Sequence, residues 1–235
     1  MKILAISEEL QEYAKSLGVD LFGVADITPV KDLAQGGEHV SRFPRAISLG
    51  MRLLNDVIDE LHRHNDAPTL ATYRGLYTAV NAALDRALLM LGKRVQGLGF
   101  KAYPVHASQI VDSVKLEGVF SHKLAANLAG LGWIGKSCLL VNPEYGPRVR
   151  FATLLTDAPL ETGKPVENRC GACRRCVEIC PAKAFTGVVF NPSEPREARF
   201  KARLCEEYTE SRVSRFGDVN CGLCVYVCPY GIRRG

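Results

Sequence analysis

The stretch CGACRRCVEICP, residues 170–181, decides how the last third of this chain folds. Its cysteines, Cys170, Cys173, Cys176 and Cys180, run C-x2-C-x2-C-x3-C and end on Pro181. Three thiolates two residues apart on a tight loop reach three corners of one iron–sulfur cubane, and the fourth points away toward a second cluster. A partial copy follows as Cys221-x2-Cys224-x3-Cys228-Pro229, with Cys205 standing in for the cysteine that a full repeat would carry just upstream of Cys221. Structural zinc also uses CxxC pairs, but it takes two pairs per tetrahedral site. A triple of cysteines with two Cys-Pro ends fits cubanes instead, and eight ligands make two [4Fe–4S] clusters.

In the crossed arrangement of two-cluster ferredoxins, Cys170, Cys173, Cys176 and Cys228 hold one cluster, and Cys180, Cys205, Cys221 and Cys224 hold the other. Electron transfer is then the least the segment does. Working outward, residues 161–235 contain few apolar runs longer than three, so metal clusters must replace an ordinary hydrophobic core there. A domain boundary is expected near 158–164, giving an α/β cofactor-binding domain over 1–160 and a ferredoxin-like two-cluster domain over 161–235. The fold class expected is α+β.

Of nine cysteines, eight fall between Cys170 and Cys228, and Cys138 sits in the apolar run SCLLV as a buried core thiol. An odd, clustered count is no secreted disulfide framework. The opening MKILAISEEL is broken by Ser7, Glu8 and Glu9 before it reaches signal-peptide length, and nothing approaches the roughly 20 apolar residues of a membrane span. The expectation is a soluble chain in a reduced, cytoplasmic compartment, with no membrane partner. Lys plus Arg is 30 against 25 Asp plus Glu, a formal +5. Residues 1–160 hold 17 basic and 16 acidic side chains and residues 161–235 hold 13 and 9, so +4 of the surplus lies in the cluster segment. Each oxidised cluster with its four thiolates adds about −2, which cancels it and removes net charge as an argument for nucleic acid.

The N-terminal part reads as alternating helices and strands. Leu10, Ala14 and Leu17 share a helical stripe over residues 7–17, with Gly18 placed as its C-cap. VDLFGVAD (19–26) reads as a buried strand, residues 28–44 as a Pro/Gly-punctuated loop, and 46–49 as another strand. Leu76, Val80, Ala83, Ala87, Leu91, Val95 and Leu98 mark the longest helix, with Gly92 as a possible bend or end. A helix over 121–129 leads into glycines, and CLLV (138–141) and VRFATLLT (149–156) read as strands around the turn NPEYGP.

The run Gly130-Leu-Gly132-Trp133-Ile-Gly135-Lys136-Ser137 satisfies both GxGxxG and GxxxxGK[ST]. Both motifs need a strand before the loop and a helix after it, to hold phosphate on the helix N-terminus. Here the order is reversed, so the glycines are read as permitting a tight helix-to-strand turn or close approach to a flat cofactor.

The runs AGLGWIGKSCLLVNPEYGPRVRFATLLTDAPL, CGACRRCVEICPAKAF and CGLCVYVCPYG, together with the opening AKSLGVDLFGVADI, resemble the epoxyqueuosine reductase family over nearly the whole chain. The resemblance implies cobalamin in the N-terminal domain near one of two [4Fe–4S] clusters, low-potential electrons, and reductive removal of a substrate oxygen. Corrinoid-dependent reductive dehalogenases share that architecture. The family's proposed acid is an Asp in a VDSAP-like stretch, matched by Val111-Asp112-Ser113, and its Tyr-His pair is matched by Tyr77-Thr78. Asp112 and Tyr77 are accordingly the candidate proton donors.

Gly130, Gly132, Trp133, Gly135, Lys136, Tyr145 and Arg148 are candidate cofactor contacts, with packing as the other reading of the larger side chains. A flavin, or no further cofactor, is the alternative to cobalamin, and His106 and His122 are either cobalt ligands or ordinary satisfied histidines. The family's helical-repeat region, which helps hold tRNA, has no counterpart in the six residues after Pro229, so the resemblance is to a short form. A small-molecule or protein substrate and a ferredoxin or flavodoxin donor are expected rather than tRNA. The competing function is a redox partner that reduces or reactivates a corrinoid or another protein without substrate chemistry of its own.

Overall fold

The computed structural model describes residues 2–33, 37–217 and 220–232. The chain forms two compact units, and neither is one continuous segment. The first comprises residues 1–51, 80–132 and 150–166, and the second 52–79, 133–149 and 167–235. A single cut near residue 160 does not describe this division. The cysteine-rich segment contributes few buried apolar side chains, among them Ala184, Phe185, Leu223 and Val225. It shares its unit with two insertions from earlier in the chain, which bring the buried Leu61, Leu70, Tyr73, Trp133, Leu140 and Val141.

In the first unit, helix α1 (Lys2–Ser16) buries Leu10 and Ala14. Gly18 takes φ 85°, where a side chain would be strained, and its N–H closes the helix end on the Lys15 carbonyl at 2.9 Å. Strand β1 (Leu21–Asp26) pairs antiparallel with β2 (Arg45–Arg52). Between them the expected loop contains a 3-10 turn, Thr28–Leu33, and a one-turn helix, α2 (Glu38–Ser41). Next come α3 (Asn55–Asp59) and the 31-residue α4 (Ala67–Gly97), which starts in the second unit and ends in the first.

The buried stripe of α4 is Leu84, Ala87, Leu88, Leu91 and Val95, packed with Leu10, Ile47, Leu49 and Leu154 in one core. The expected stripe was rotated, because Ala83 is exposed and Leu84 and Leu88 are buried. An i, i+3, i+4, i+7 series through Leu84 places larger side chains in the core than one through Ala83. The helix continues through Gly92.

Strand β3 (Ala102–Val105) has no signal in the sequence reading: AYPV is short and contains a proline. The sheet order is β1-β2-β6-β3, with β6 spanning Val149–Thr156, so β3 lies at an edge, where a proline costs least. Helix α5 (His122–Leu128) is capped by Ser121, whose hydroxyl accepts from the Leu124 N–H. After it come the short strands β4 (Trp133–Ile134) and β5 (Leu140–Val141), which form a hairpin. The second strand is shorter than CLLV suggested, because Cys138 at φ 53° belongs to the turn. The buried state expected of Cys138 is observed, at 4% exposure.

The second unit adds four short helices: α6 (Arg175–Glu178), α7 (Ala202–Glu210), α8 (Val213–Phe216) and α9 (Leu223–Tyr226). Stacked Phe185 and Phe200 rings, 5.2 Å apart, join its middle section across an isolated bridge.

Within the first unit, Gly163 donates its N–H to the Val24 carbonyl at 2.8 Å, and a Cβ on it would lie 2.1 Å from the Ala129 carbonyl oxygen. Gly163→Ala is expected to destabilise this unit by about 1–3 kcal/mol through overpacking. Gly75→Ala, in α4 with open space around it, is expected to stabilise by about 0.5–1 kcal/mol. Urea unfolding of both proteins checks the opposite signs.

Candidate metal centres

All eight clustered cysteines are free thiols of intermediate exposure. The loop that bears the first three is set by backbone geometry: Gly171 sits at φ 49°, and the Cys173 N–H donates to the Cys170 carbonyl at 3.0 Å. Helix α6 then carries Cys176, α7 carries Cys205, and α9, entered through left-handed Gly222 at φ 71°, carries Cys224. A Cβ on Gly222 would meet Tyr73 at 2.6 Å and Leu61 at 2.7 Å, so only glycine brings this helix so close to the first insertion. Cys228 precedes the 3-10 turn Pro229–Gly231.

The thiols sort into two groups by what perturbs them. Burial pushes Cys176 up to about 11, and the Cys170 and Cys173 thiols push the same way. Cys228 is likewise pushed up to about 11 by burial, and by Cys170, Cys176 and Cys173. Cys205 rises to about 11 through burial with Cys221 and Cys180 as its neighbours. Burial, then Cys221, Cys205, Cys180 and Cys176, drive Cys224 up. Cys170, Cys173, Cys176 and Cys228 therefore form one group, Cys180, Cys205, Cys221 and Cys224 the other, and the two adjoin through Cys176 and Cys224.

These are the crossed sets that the sequence predicts. The first four line a common cavity with Gly135, Lys136, Ser137, Val141, Arg175, Pro229 and Tyr230. Among the described residues no three Cys, His, Asp or Glu side chains converge as a single-ion site requires. Desolvated thiols that raise one another's pKa become stable thiolates only around a cationic core, and a cubane supplies one with a separate iron for each sulfur. The donor set fits two [4Fe–4S] clusters.

The turn between β4 and β5 packs directly on the first group. A Cβ on Gly135 would meet Val141 at 2.9 Å and lie 3.5 Å from the Cys170 sulfur. Lys136, 7% exposed, donates from Nζ to the Gly171 carbonyl at 2.7 Å and the Cys173 carbonyl at 3.2 Å. Trp133 is buried and meets the Tyr230 ring edge-on at 4.8 Å, and the Tyr230 hydroxyl donates to the Arg169 carbonyl. Buried Arg148 forms an ion pair with Asp59 at 2.5 Å, donates to Asn55 Oδ1 at 3.2 Å, and packs so closely on Gly231 that a Cβ there would meet its Nε at 2.8 Å. Tyr145 lies under the Arg52 guanidinium at 4.2 Å.

Trp133, Lys136 and Arg148 thus hold the chain around Cys170, Cys173 and Cys228. Asn168 takes part as well, accepting from the Cys170 N–H and donating to the Ile134 carbonyl. Sequence reasoning missed Asn168, Asn55 and Asp59. An Asn two residues before a cysteine loop is a readable turn signal, whereas nothing in the sequence links Asp59 to a residue 89 positions away.

In the first unit, Gly130 sits at φ 80° against the Lys164 carbonyl, and the Gly132 carbonyl accepts from Asn127 Nδ2 at 2.9 Å. Both serve the tight helix-to-strand turn. Asp112 accepts from the Lys115 N–H at 2.8 Å and the Val114 N–H at 2.9 Å. The Lys115 bond foremost holds its carboxyl below the usual range, hence ionised at neutral pH. Tyr77, in the second unit, packs edge-on against Tyr73 at 6.4 Å. His106 Nδ1 lies 3.3 Å from Asp85.

His122 has both ring nitrogens engaged. Nε2 donates to the His106 carbonyl at 3.0 Å, which leaves Nδ1 to accept from the Thr153 hydroxyl at 2.8 Å. Desolvation lowers its pKa to about 4, so it is neutral and satisfied, as the plainer of its two readings expects.

Residues 169–231 match the family model described as a 4Fe-4S double cluster binding domain. The epoxyqueuosine reductase of Bacillus subtilis is 29% identical over 97% of this chain and 64% of its own length. A crystal structure of epoxyqueuosine reductase with an epoxyqueuosine-modified tRNA-Tyr stem loop superposes with TM-score 0.64 at 22% identity, covering 97% of this chain and 65% of that one. A reductive dehalogenase whose structure suggests a mechanism for B12-dependent dehalogenation superposes with TM-score 0.75 at 18% identity, over 99% of this chain and 32% of that one. The chain spans just under two thirds of the length of the curated relatives that match it nearly end to end.

The crossed pairing has a direct test in iron content. Cys176→Ser and Cys228→Ser, 52 residues apart, are each expected to lower iron from about eight to about four per chain by removing the same cluster. Cys180→Ser, four residues from Cys176, is expected to remove the other, and double variants distinguish the two cases: Cys176→Ser with Cys228→Ser retains about four irons, Cys176→Ser with Cys180→Ser almost none. Over nearly its whole length the chain is similar to the epoxyqueuosine reductases, and it shares its fold with them and with the reductive dehalogenases.

Proposed function

We propose that the chain is an iron–sulfur reductase that passes single low-potential electrons through two [4Fe–4S] clusters to a corrinoid, cobalamin, for chemistry of the kind that removes an epoxide oxygen. The observation that carries this reading is the pair of adjoining four-thiol sites in a chain that is similar over 97% of its length to an epoxyqueuosine reductase. A plain electron carrier needs no further unit of helices around a four-stranded sheet. The fold shared with a B12-dependent dehalogenase supports a corrinoid over a flavin as the acceptor. When bound, a corrinoid supplies a strongly reducing metal centre for substrate reduction.

The remaining work falls to the chain's own side chains. Trp133, Arg148 and Lys136 fix the loops that present Cys170, Cys173 and Cys228. Asp112, held as a carboxylate by the Val114 and Lys115 N–H donors, passes a proton to substrate only after taking one up from water, so it acts as a relay rather than as a stored acid. His122 has both ring nitrogens engaged, by Thr153 and the His106 carbonyl, and serves to shape the first unit.

The test is anaerobic purification followed by iron and sulfide analysis, addition of cob(II)alamin, and turnover on epoxyqueuosine presented both as free nucleoside and in a tRNA stem loop. About eight irons, a base-off cobalt EPR signal and loss of the epoxide are expected. Asp112→Asn is expected to lower turnover at least tenfold with iron unchanged. Zinc in place of iron contradicts the cluster assignment, and iron without corrinoid uptake contradicts the reductase in favour of a redox partner for another protein.

A further inference from the structure

Lys136 belongs to a run that imitates a phosphate-binding loop, and its side chain goes elsewhere. It lies in the turn between β4 and β5, is 93% buried on a 7% exposure, and lines the cavity formed by Cys170, Cys173, Cys176 and Cys228. Its Nζ donates to the carbonyls of Gly171 and Cys173, both within the ligand loop itself. Carbonyl acceptors orient an ammonium group but carry no net charge, so its positive charge is not cancelled by these bonds. Gly135, bare of a side chain, is what lets the turn come this close to the Cys170 sulfur.

A cluster that accepts one electron gains one unit of negative charge without taking up a proton. A fixed positive charge in a buried setting favours that reduced state far more than it would in water. We infer that the ammonium group of Lys136 raises the reduction potential of one cluster selectively, the one held by Cys170, Cys173, Cys176 and Cys228. Lys136 is a positioning residue in its hydrogen bonds and an electrostatic one in its charge. The inference rests on the two-cluster reading above. The set of Cys180, Cys205, Cys221 and Cys224 does not line the cavity that Lys136 enters and serves as the internal reference.

The experiment is an EPR-monitored dithionite titration of the anaerobically purified full chain. Lys136→Gln keeps an N–H donor for the two carbonyls but removes the charge, and Lys136→Arg keeps the charge. Lys136→Gln is expected to lower one midpoint potential by about 59 mV or more, a tenfold change in the reduced-to-oxidised ratio, and to leave the other in place. Lys136→Arg is expected to match the wild type. The signal that moves is assigned with Cys205→Ser, which leaves only the cluster in question.

Neither potential moving, or both moving equally, with about eight irons retained overturns the inference and leaves the two-cluster reading intact. A wild-type chain without about eight irons overturns that reading itself. If Lys136→Gln loses iron, Lys136→Arg decides: an unchanged potential supports the role of charge, and a fall of about 59 mV or more, a tenfold change in the reduced-to-oxidised ratio, contradicts it.

Discussion

The second unit depends on the mutual repulsion of buried sulfurs and on what relieves it. Eight cysteines are brought together in two groups, and at Cys176, Cys205, Cys224 and Cys228 burial and neighbouring thiols both disfavour the thiolate. Without a compensating charge, such groups remain protonated and contribute little to stability. Around cationic iron the same proximity becomes the stabilising contact, and metal binding becomes folding free energy. The sparse apolar content of residues 161–235 is then explained, because inorganic cores take over what a hydrophobic core does elsewhere.

A cluster loop held only by its metal would be free to vary in shape, and here it is not. The hairpin of β4 and β5 packs on Cys170, the Lys136 ammonium group ties two carbonyls of the ligand loop, and Arg148 braces the turn after Cys228 from a position anchored on Asp59 and Asn55. These residues come from segments well before the cysteines in sequence. That is why the second unit includes residues 52–79 and 133–149, and why the chain passes between its two units several times. Cluster geometry is in this sense determined by ordinary packing, and the packing residues carry the electrostatic environment with them.

Legibility in the sequence followed the range of each interaction. The double-cluster domain was readable, since cysteine spacing is local. Helix α1 was readable from periodicity and from Gly18 at its end, and α5 as the helical run that leads into the glycines. The buried face of α4 was displaced, because alanine and leucine alternate along it and only the tertiary core chooses between Ala83 and Leu84. Strand β3 was invisible for want of length, and the interleaving of the units could not be read at all, since nothing local in Asp59 or Trp133 refers to a cysteine loop far along the chain. Lys136 is the instructive case: its motif was visible, its phosphate reading failed on context, and only the structure showed where the ammonium group is directed.

The central claim is that two cubanes lie beside one another on the crossed cysteine sets. EPR of the fully reduced, anaerobically purified chain tests it most directly. The account predicts about two spins per chain with the broadened features of magnetic coupling between neighbouring clusters. A single uncoupled signal integrating to one spin, or an EPR-silent protein containing zinc, would contradict it.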